Sequence, residues 1–214
     1  MKILFIGNSY TYFNEMPQKL ERLAKANGHD VEVFSVVKGG RKLHQHLDLD
    51  DERTQILDRL TDGSHRFDVV FLQEQSYLPL ADFELFADGA RRLAERLRPF
   101  TKEFIMYQTW GRKDGHPLLA ERGWTHESMT CDLAEAYGKV AKELGAKVSA
   151  VGSAFSRVYR GHPELELYKE DLYHPSDLGS CLIALVHYKT LFGEYPKDAS
   201  SLELPEETLK IFMQ

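Results

Sequence analysis

Short runs of β-branched and aromatic residues alternate along the chain with longer stretches of helical periodicity. Strands and helices that alternate in this way pack as a parallel sheet with helices on both faces. The predicted strands span residues 2–6, 31–36, 68–72, 103–108 and 147–151. The predicted helices span residues 15–27, 51–61, 83–97 and 127–144, and a last main helix covers about 177–191 after Pro175. The sequence therefore predicts an α/β fold.

Helix-stop signals support these assignments. Leu20, Leu23 and Ala24 share one helical face, and an Asn-Gly pair follows them before the next strand. Pro99 ends a later helix, and Gly145 stands at the position after another helix, where glycine is common. We find no repeat, low-complexity tract or linker, and 214 residues are enough to bury one sizeable core. We therefore expect a single domain over residues 1–214.

The composition excludes several classes of function. The net charge is −6 and no long run of Lys or Arg occurs, so binding to nucleic acid or to an anionic membrane surface is not expected. No window approaches the roughly 18 apolar residues of a membrane-spanning helix. The first apolar run is too short for a signal-peptide core. Cys131 and Cys181 are far apart and have no metal-like spacing, which favours a cytoplasmic protein with reduced thiols.

Two long irregular stretches are predicted, over residues 110–126 and 155–173. Loops longer than about 12–15 residues in a compact domain are usually functional or disordered. Both stretches follow predicted strands, so they lie at the carboxyl edge of the sheet, where open α/β sheets bind ligands. The turn Gly7-Asn8-Ser9 follows the first strand and opens at the same edge.

A serine, a histidine and an aspartate at this edge suggest nucleophilic catalysis. Ser9 leaves the first strand, and Asp171 and His174 are three residues apart just before a predicted helix. That spacing lets the carboxylate accept from His174 Nδ1–H while Nε2 faces a serine from another loop. The alternatives are that Ser9 is a turn or capping residue and that Asp171 and His174 are exposed at a helix start.

Two further segments supply donors for a developing oxyanion. Gly39 and Gly40 follow the second strand, where an unshielded backbone N–H could point at an oxyanion, although a flexible turn is an equal alternative. Gln73 and Gln75 follow the third strand, and a side-chain amide there can donate in the same way. The alternative for the glutamines is an amide that hydrogen bonds to backbone.

Other polar and aromatic residues are expected at or near this edge. Trp110 and Arg112 follow the fourth strand and are predicted to bind substrate, although Trp110 is equally consistent with core packing. Tyr10 lines the same cleft or packs the first helix. His44 and His46 form an H-x-H pair, but no third ligand has a compelling spacing, so we expect no metal site.

These segments, taken in order, resemble the conserved blocks of the SGNH hydrolases, also called GDSL-like esterases and lipases. The resemblance covers essentially the whole chain and is greatest to a bacterial branch carrying "GNS-T", "LQEQS" and "HPS--G". It implies a three-layer α/β/α sandwich similar to flavodoxin, with sheet order 2-1-3-4-5. It also implies Ser9 as nucleophile, His174 as base and Asp171 as the acid that orients it. The segments that carry it are Gly7-Asn8-Ser9-Tyr10-Thr11, Gly39-Gly40, Gln73-Glu74-Gln75 and Asp171-Leu172-Tyr173-His174.

The resemblance implies that the Ser9 N–H, a glycine N–H of the second block and an amide of the third block bind the oxyanion. The chain departs from the family pattern at two blocks. Asn8 stands where many members have Asp, and the third block lacks the usual Gly-x-Asn. Alignment on the last two residues of that block makes Gln75 the replacement. Analogy with the Gln-Gly-Glu block of some carbohydrate acetylesterases makes it Gln73.

The sequence thus predicts a cofactor-free serine esterase that acts on a small polar ester, such as an acetylated carbohydrate. Neither long loop has the broad hydrophobic character of a lipase lid. An acyltransferase or thioesterase would use the same triad, and a non-catalytic carbohydrate- or ligand-binding domain would use the same scaffold. A flavodoxin-like cofactor module is disfavoured, because the first loop lacks a phosphate-binding composition. The fingerprints of Rossmann and P-loop proteins are absent. The sequence does not predict an oligomeric state.

Overall fold

A five-stranded parallel sheet forms the centre of the computed structural model, which describes residues 1–214. The strand order is β2-β1-β3-β4-β5, which confirms both the α/β class and the order that the resemblance implied. The strands are β1 (Lys2–Gly7), β2 (Glu32–Val37), β3 (Phe67–Leu72), β4 (Thr101–Tyr107) and β5 (Lys147–Ser149). The helices are α1 (Ser9–Tyr12), α2 (Met16–Ala26), α3 (Glu52–Leu60), α4 (Leu78–Ala81), α5 (Phe83–Leu97), α6 (Pro117–Arg122), α7 (His126–Leu144), α8 (Val151–Gly161), α9 (Asp177–Phe192) and α10 (Glu206–Phe212).

Apolar residues on both faces of the strands bury the sheet between two layers of helices. In β1, Ile3 and Phe5 point to one core and Leu4 and Ile6 to the other, because successive side chains of a strand alternate between its faces. Residues of α2, α8 and α9 fill the first core, and residues of α5 and α7 fill the second. No helix in the chain has both the length and the apolar character that crossing a membrane requires.

The carboxyl ends of the strands bring distant parts of the chain to one edge. β1 pairs with β2 on one side and with β3 on the other. The chain therefore adds β2 on one side of β1 and then crosses to add β3 on the other side. Ligands bind at such a switch point in open α/β sheets. The segments that follow β1, β2, β3 and β4 all begin at this edge.

The predicted irregular stretches contain more helix than the sequence suggested. β5 ends at Ser149, and α8 begins at Val151. This helix extends to Gly161, into the stretch 155–173 that the sequence predicted to be irregular. A Cβ at Gly152 would lie 2.1 Å from the Thr109 carbonyl oxygen, so only glycine allows α8 to approach the end of β4 so closely. The other irregular stretch contains α6.

Candidate active site

Ser9 is presented by a tight turn at the end of β1. Asn8 caps the short helix α1, and its Oδ1 accepts from the Tyr10 N–H at 3.2 Å. Ser9 is the first residue of that helix, so its N–H has no carbonyl partner within the helix. A Cβ at Gly7 would lie 2.5 Å from Gln73 Oε1. The strand therefore ends on glycine because the Gln73 carboxamide occupies the space next to it.

The side chains of Ser9, His174 and Asp171 form a continuous hydrogen-bonded chain. His174 Nε2 lies 2.8 Å from Ser9 Oγ, and His174 Nδ1 lies 2.7 Å from Asp171 Oδ2. The Asp171 side chain is 38% exposed, whereas the His174 side chain is 12% exposed. The three residues that the sequence analysis grouped are thus brought together from the two ends of the chain.

The loop before α9 fixes the aspartate relative to the histidine. Asp171 Oδ1 accepts from the Tyr173 N–H at 3.1 Å and from the His174 N–H at 2.9 Å. Leu172, between them, has φ = +66°, a left-handed conformation that costs energy for a residue with a side chain. One carboxylate oxygen therefore shapes the loop while the other accepts from the imidazole.

Asn14 ties this loop to the segment that carries Ser9. Its Nδ2 donates to the carbonyl oxygens of Pro175 at 3.0 Å and Ser176 at 2.9 Å. Ser176 in turn caps α9, because its Oγ accepts from the Gly179 N–H at 3.0 Å. Sequence analysis did not identify Asn14 as part of the site, since the contact spans more than 160 positions and has no local signal.

The electrostatics of the dyad favour a carboxylate beside a neutral imidazole. Burial lowers the pKa of His174 below its usual 6.5, and the positive charge of Arg112 acts in the same direction, while the Asp171 carboxylate opposes both. Burial would raise the pKa of Asp171, but hydrogen bonds from the His174 side chain and from the His174 and Tyr173 N–H groups outweigh it and lower that pKa. At neutral pH, His174 Nε2 can therefore accept a proton.

A cleft of about 310 Å³ opens beside Ser9 and His174. Only 4 of its 12 lining residues are hydrophobic, so the cleft is polar. The lining consists of Asn8, Ser9, Tyr10, Tyr12, Phe13, Gly39, Gly40, Gln75, Ser76, Arg112, Tyr173 and His174.

Gly39 and Gly40 line the cleft, as the sequence analysis expected of oxyanion donors. Neither N–H donates a hydrogen bond to another backbone group of the protein. Gly40 has φ = +67°, a conformation that glycine adopts without the penalty that other residues incur. Both backbone donors are therefore available to a ligand.

Gln73 and Gln75 have different surroundings. Gln73 is fully buried, and its Oε1 accepts from the Asn8 N–H at 2.9 Å and from Thr11 Oγ1 at 2.8 Å. Its Nε2 donates to the Glu74 carbonyl oxygen. The Gln73 carboxamide therefore joins the ends of β1 and β3, and it is absent from the cleft lining.

Gln75 lines the cleft, and its side-chain amide is only partly hydrogen bonded within the protein. Its Oε1 accepts from the Leu78 N–H at 3.2 Å, and its Nε2 donates to Ser76 Oγ at 3.1 Å. A carboxamide nitrogen carries two hydrogens. Ser76 accepts one of those on Gln75 Nε2, and the other has no partner within the protein. These contacts fix the orientation of the amide and leave one donor free.

Glu74 is a buried carboxyl that the sequence analysis did not assign to the site. Its oxygens accept from the Leu43 N–H at 3.2 Å and from the Gln75 N–H at 2.5 Å. Burial raises the pKa of Glu74 to about 8, although those N–H groups act in the opposite direction. Glu74 therefore links the segments after β2 and β3, and it is mostly uncharged at neutral pH.

Arg112 and Tyr10 line the cleft, where the sequence analysis placed them as substrate-binding residues. Arg112 is only 5% exposed. Its Nη1 donates to the Tyr10 hydroxyl at 2.8 Å, and its Nη2 donates to Ser76 Oγ at 2.7 Å. Its guanidinium lies 4.2 Å from the centre of the Tyr173 ring.

Trp110 does not line the cleft and packs in the core, which is the alternative that the sequence analysis left open for it. The side chain is fully buried, and its ring stacks between Tyr10 at 4.4 Å and Phe155 at 4.3 Å. Its Nε1 donates to the Tyr173 carbonyl oxygen at 3.1 Å. Stacking keeps the apolar surface of the Trp110 ring away from water. Trp110 therefore supports the Tyr10 ring on the side of the core.

His46, the second residue of the H-x-H pair after β2, packs against the end of β1. His46 is fully buried, and its Nε2 lies 3.2 Å from the Gly7 carbonyl oxygen. Burial lowers the pKa of His46 to about 3, so the ring is neutral and donates to that carbonyl. No group of three or more His, Cys, Asp or Glu side chains is arranged to hold a metal ion.

Among solved structures, the chain is similar to a protein of Slackia heliotrinireducens assigned to the SGNH hydrolases. The two sequences are 31% identical, and the TM-score is 0.77. The match covers 89% of this chain and 98% of the other. The chain belongs to the SGNH hydrolase family. As a member of this family, the chain is a hydrolase.

More distant structures share the fold of this SGNH hydrolase. A DUF4886 family protein of Bacteroides uniformis has a TM-score of 0.79 at 19% identity, over 100% of this chain and 92% of the other. An acetylxylan esterase of Geobacillus stearothermophilus has a TM-score of 0.66 at 16% identity, over 92% and 96%. No family model matches the chain, and no curated protein matches it either.

Proposed function

We propose that Ser9, His174 and Asp171 are the catalytic triad of an esterase that hydrolyses a small polar ester. The observation that carries this proposal is the unbroken chain of hydrogen bonds, 2.8 Å from Ser9 Oγ to His174 Nε2 and 2.7 Å from His174 Nδ1 to Asp171 Oδ2. A nucleophile, a base and a residue that orients the base are joined in this order in serine hydrolases on unrelated folds.

The acylation step follows from this geometry. Ser9 Oγ attacks the ester carbonyl carbon while His174 Nε2 takes the hydroxyl proton, and the carbonyl oxygen becomes an oxyanion. When the tetrahedral intermediate collapses, the carbon–oxygen bond to the alcohol breaks and His174 returns the proton to the leaving alkoxide. The alcohol departs, and the acyl group remains bonded to Ser9.

Deacylation repeats the sequence with water. His174 Nε2 takes a proton from water as the hydroxide oxygen attacks the acyl carbon. The bond to Ser9 then breaks, the proton returns to Ser9 Oγ, and the carboxylic acid departs. Asp171 stays ionised throughout and stabilises the imidazolium that forms in each step, as its lowered pKa favours.

We assign the oxyanion donors to the Ser9 N–H, to the N–H of Gly39 or Gly40, and to Gln75 Nε2. All four residues line the cleft, and each has an N–H that is free to donate to a ligand. Gln73 is not assigned to this role, because both ends of its carboxamide are hydrogen bonded away from the cleft.

Replacing Gln75 with leucine is expected to lower kcat for a short ester by roughly 10²–10³-fold, the usual cost of one oxyanion donor. The same change at Gln73 is expected to act mainly on stability, since it leaves the buried Asn8 N–H and Thr11 hydroxyl without their acceptor. Steady-state kinetics and thermal unfolding of both variants test the assignment. A large loss of kcat in folded Gln73→Leu, with Gln75→Leu near wild type, would reverse it.

The acidic limb of the pH profile reports the protonation of His174. Imidazolium cannot accept the Ser9 proton, so kcat/KM should be fully developed above the His174 pKa and lost as pH falls through it. Because burial lowers that pKa, the midpoint is expected below 6.5. The measurement is kcat/KM for an uncharged acetate ester between mildly acidic and neutral pH, with folding checked by circular dichroism at each pH. An acidic midpoint above 6.5 contradicts the assignment.

The size and polarity of the cleft favour a substrate with a short acyl group on a polar alcohol. A cleft of about 310 Å³ with few hydrophobic lining residues offers little apolar surface to a long lipid chain. The acetylxylan esterase with the same fold is a precedent for an acetylated carbohydrate as the substrate. We therefore place acetyl esters of carbohydrates or similar polar alcohols first.

A series of para-nitrophenyl esters tests this choice of acyl group. kcat/KM is expected to be highest for acetate or propionate and to fall steeply from butyrate to octanoate. Acetylated xylo-oligosaccharides, assayed by acetate release, test the alcohol. Higher activity on octanoate than on acetate would contradict the proposed substrate class while leaving the triad in place.

A further inference from the structure

The cleft contains a buried positive charge that has no carboxylate partner. Arg112 is 5% exposed, yet no Asp or Glu oxygen lies within 4.0 Å of its guanidinium. Arg41 is buried to the same degree at 6%, and it does have a partner, since its Nη1 lies 2.7 Å from Asp51. Within one chain, therefore, one buried arginine is paired and the other is not.

The side chains in direct contact with the Arg112 guanidinium are neutral. Its two identified acceptors are the hydroxyls of Tyr10 and Ser76, and the Tyr173 ring covers one face of the guanidinium. An aromatic face attracts a cation, but a buried charge is usually balanced by an opposite charge. The nearby carboxylate of Asp171 is already bonded to His174 and to the backbone of its own loop.

The same cluster has free hydrogen-bond donors. A guanidinium carries five N–H groups in a planar fork, and two of those of Arg112 are used by Tyr10 and Ser76. Each hydroxyl accepts from Arg112, and a hydrogen bond between Ser76 and Tyr10 leaves one of the two hydroxyl hydrogens to donate to a ligand. Burial raises the pKa of Tyr10 to about 12, so its phenol stays protonated at neutral pH. All three residues line the cleft that contains Ser9.

We propose that Tyr10, Ser76 and Arg112 form an anion-binding subsite, and that the natural substrate is an ester that carries a carboxylate close to the bond that is cleaved. A carboxylate matches the planar donors of an arginine and supplies the missing negative charge. This inference rests on the proposed function and adds a substrate class to it, since a neutral acetylated sugar would leave Arg112 without a counter-ion.

The first experiment compares matched pairs of esters that differ only in charge. Para-acetoxybenzoate and para-acetoxybenzamide place the group on the alcohol side. The para-nitrophenyl monoester of adipic acid and the corresponding terminal amide place it on the acyl side. In at least one pair the acid is expected to have a kcat/KM about 10- to 100-fold higher, the range of a hydrogen bond to a charged group. Equal rates for acid and amide in both pairs overturn the proposal.

Variants then assign the preference to Arg112. In Arg112→Gln the ratio of acid to amide kcat/KM should fall towards one, mainly through a higher KM for the acid, and Arg112→Lys should retain part of the ratio. Arg160→Gln removes the same charge from an exposed position and is expected to keep the wild-type ratio. A wild-type ratio in folded Arg112→Gln means that the anion is bound elsewhere and overturns the assignment to Arg112.

A binding measurement separates this inference from the proposed function. Para-acetamidobenzoate is an amide analogue of the ester and is compared with para-acetamidobenzamide in thermal unfolding of Ser9→Ala. The acid alone is expected to raise Tm, and the effect should disappear when Arg112→Gln is added. If the acid raises Tm but wild-type protein hydrolyses no ester, the triad proposal fails and the anion subsite stands. If neutral esters are hydrolysed but the acid does not raise Tm, the subsite fails alone.

Discussion

Replacing Ser9 with alanine is expected to lower kcat for para-nitrophenyl acetate by roughly 10⁶-fold, the loss seen when a serine hydrolase loses its nucleophile. The reason is that Ser9 Oγ is the only serine oxygen that is hydrogen bonded to His174 Nε2, at 2.8 Å, and is therefore the one that His174 can deprotonate. Without it, no acyl-enzyme forms, and only direct attack by water remains. The measurement is single-turnover and steady-state hydrolysis by wild type and variant purified in the same way.

Ser156→Ala is the matched control for that loss. Ser156 lies in α8, outside the residues that line the cleft, so its hydroxyl has no part in the proposed reaction. The control is expected to keep wild-type kcat and KM. If Ser9→Ala kept more than about one tenth of the wild-type kcat while folded, covalent catalysis by Ser9 would be excluded.

The second large effect is expected from Asp171→Asn, which should lower kcat by roughly 10⁴-fold. In the wild type, Asp171 Oδ2 accepts from His174 Nδ1–H at 2.7 Å, which leaves the Nε2 lone pair facing Ser9. An asparagine amide at that position can donate to Nδ1 and so favours the tautomer with its proton on Nε2. That tautomer cannot take the Ser9 proton.

This substitution keeps the loop in place. Asparagine retains an oxygen that can accept from the Tyr173 and His174 N–H groups, as Asp171 Oδ1 does. KM and Tm are therefore expected to change little while kcat falls. The matched control is Asp114→Asn, which changes a carboxylate that accepts from the Tyr159 hydroxyl at 2.9 Å. This variant should keep wild-type kcat. An Asp171→Asn variant within tenfold of wild-type kcat would show that Asp171 does not orient the base.

The alternation of apolar runs with helical stretches was enough to predict the fold class, and the strand order required the resemblance to a family. Strand assignments depend on short apolar runs such as that of β1, and helix assignments depend on apolar periodicity, which is strong in α5. The helix α8 was not predicted, because Val151 was assigned to the preceding strand and residues 155–173 to an irregular stretch. Val151, Phe155 and Val158 are nevertheless spaced along one helical face and are buried.

The three residues of the proposed triad could be identified because each lies beside an element that the sequence predicts, with Ser9 after a strand and Asp171 and His174 before a helix. The choice between Gln73 and Gln75 was not accessible in the same way. Both follow β3, and they differ only in that the Gln73 carboxamide packs against Gly7, a contact between positions far apart in the chain. For the same reason, the stacking of Trp110 on Phe155 could not be read from the sequence.

The most direct test of the central claim is intact-mass analysis after reaction with a fluorophosphonate, for wild type, Ser9→Ala and His174→Ala. An activated serine oxygen attacks phosphorus and displaces fluoride, so an activated nucleophile gains one adduct mass. We expect a single adduct on wild type, located at Ser9 by peptide mapping, and no adduct on either variant under the same conditions. A folded wild-type protein that takes no adduct, or a Ser9→Ala variant that is still labelled, would contradict the account.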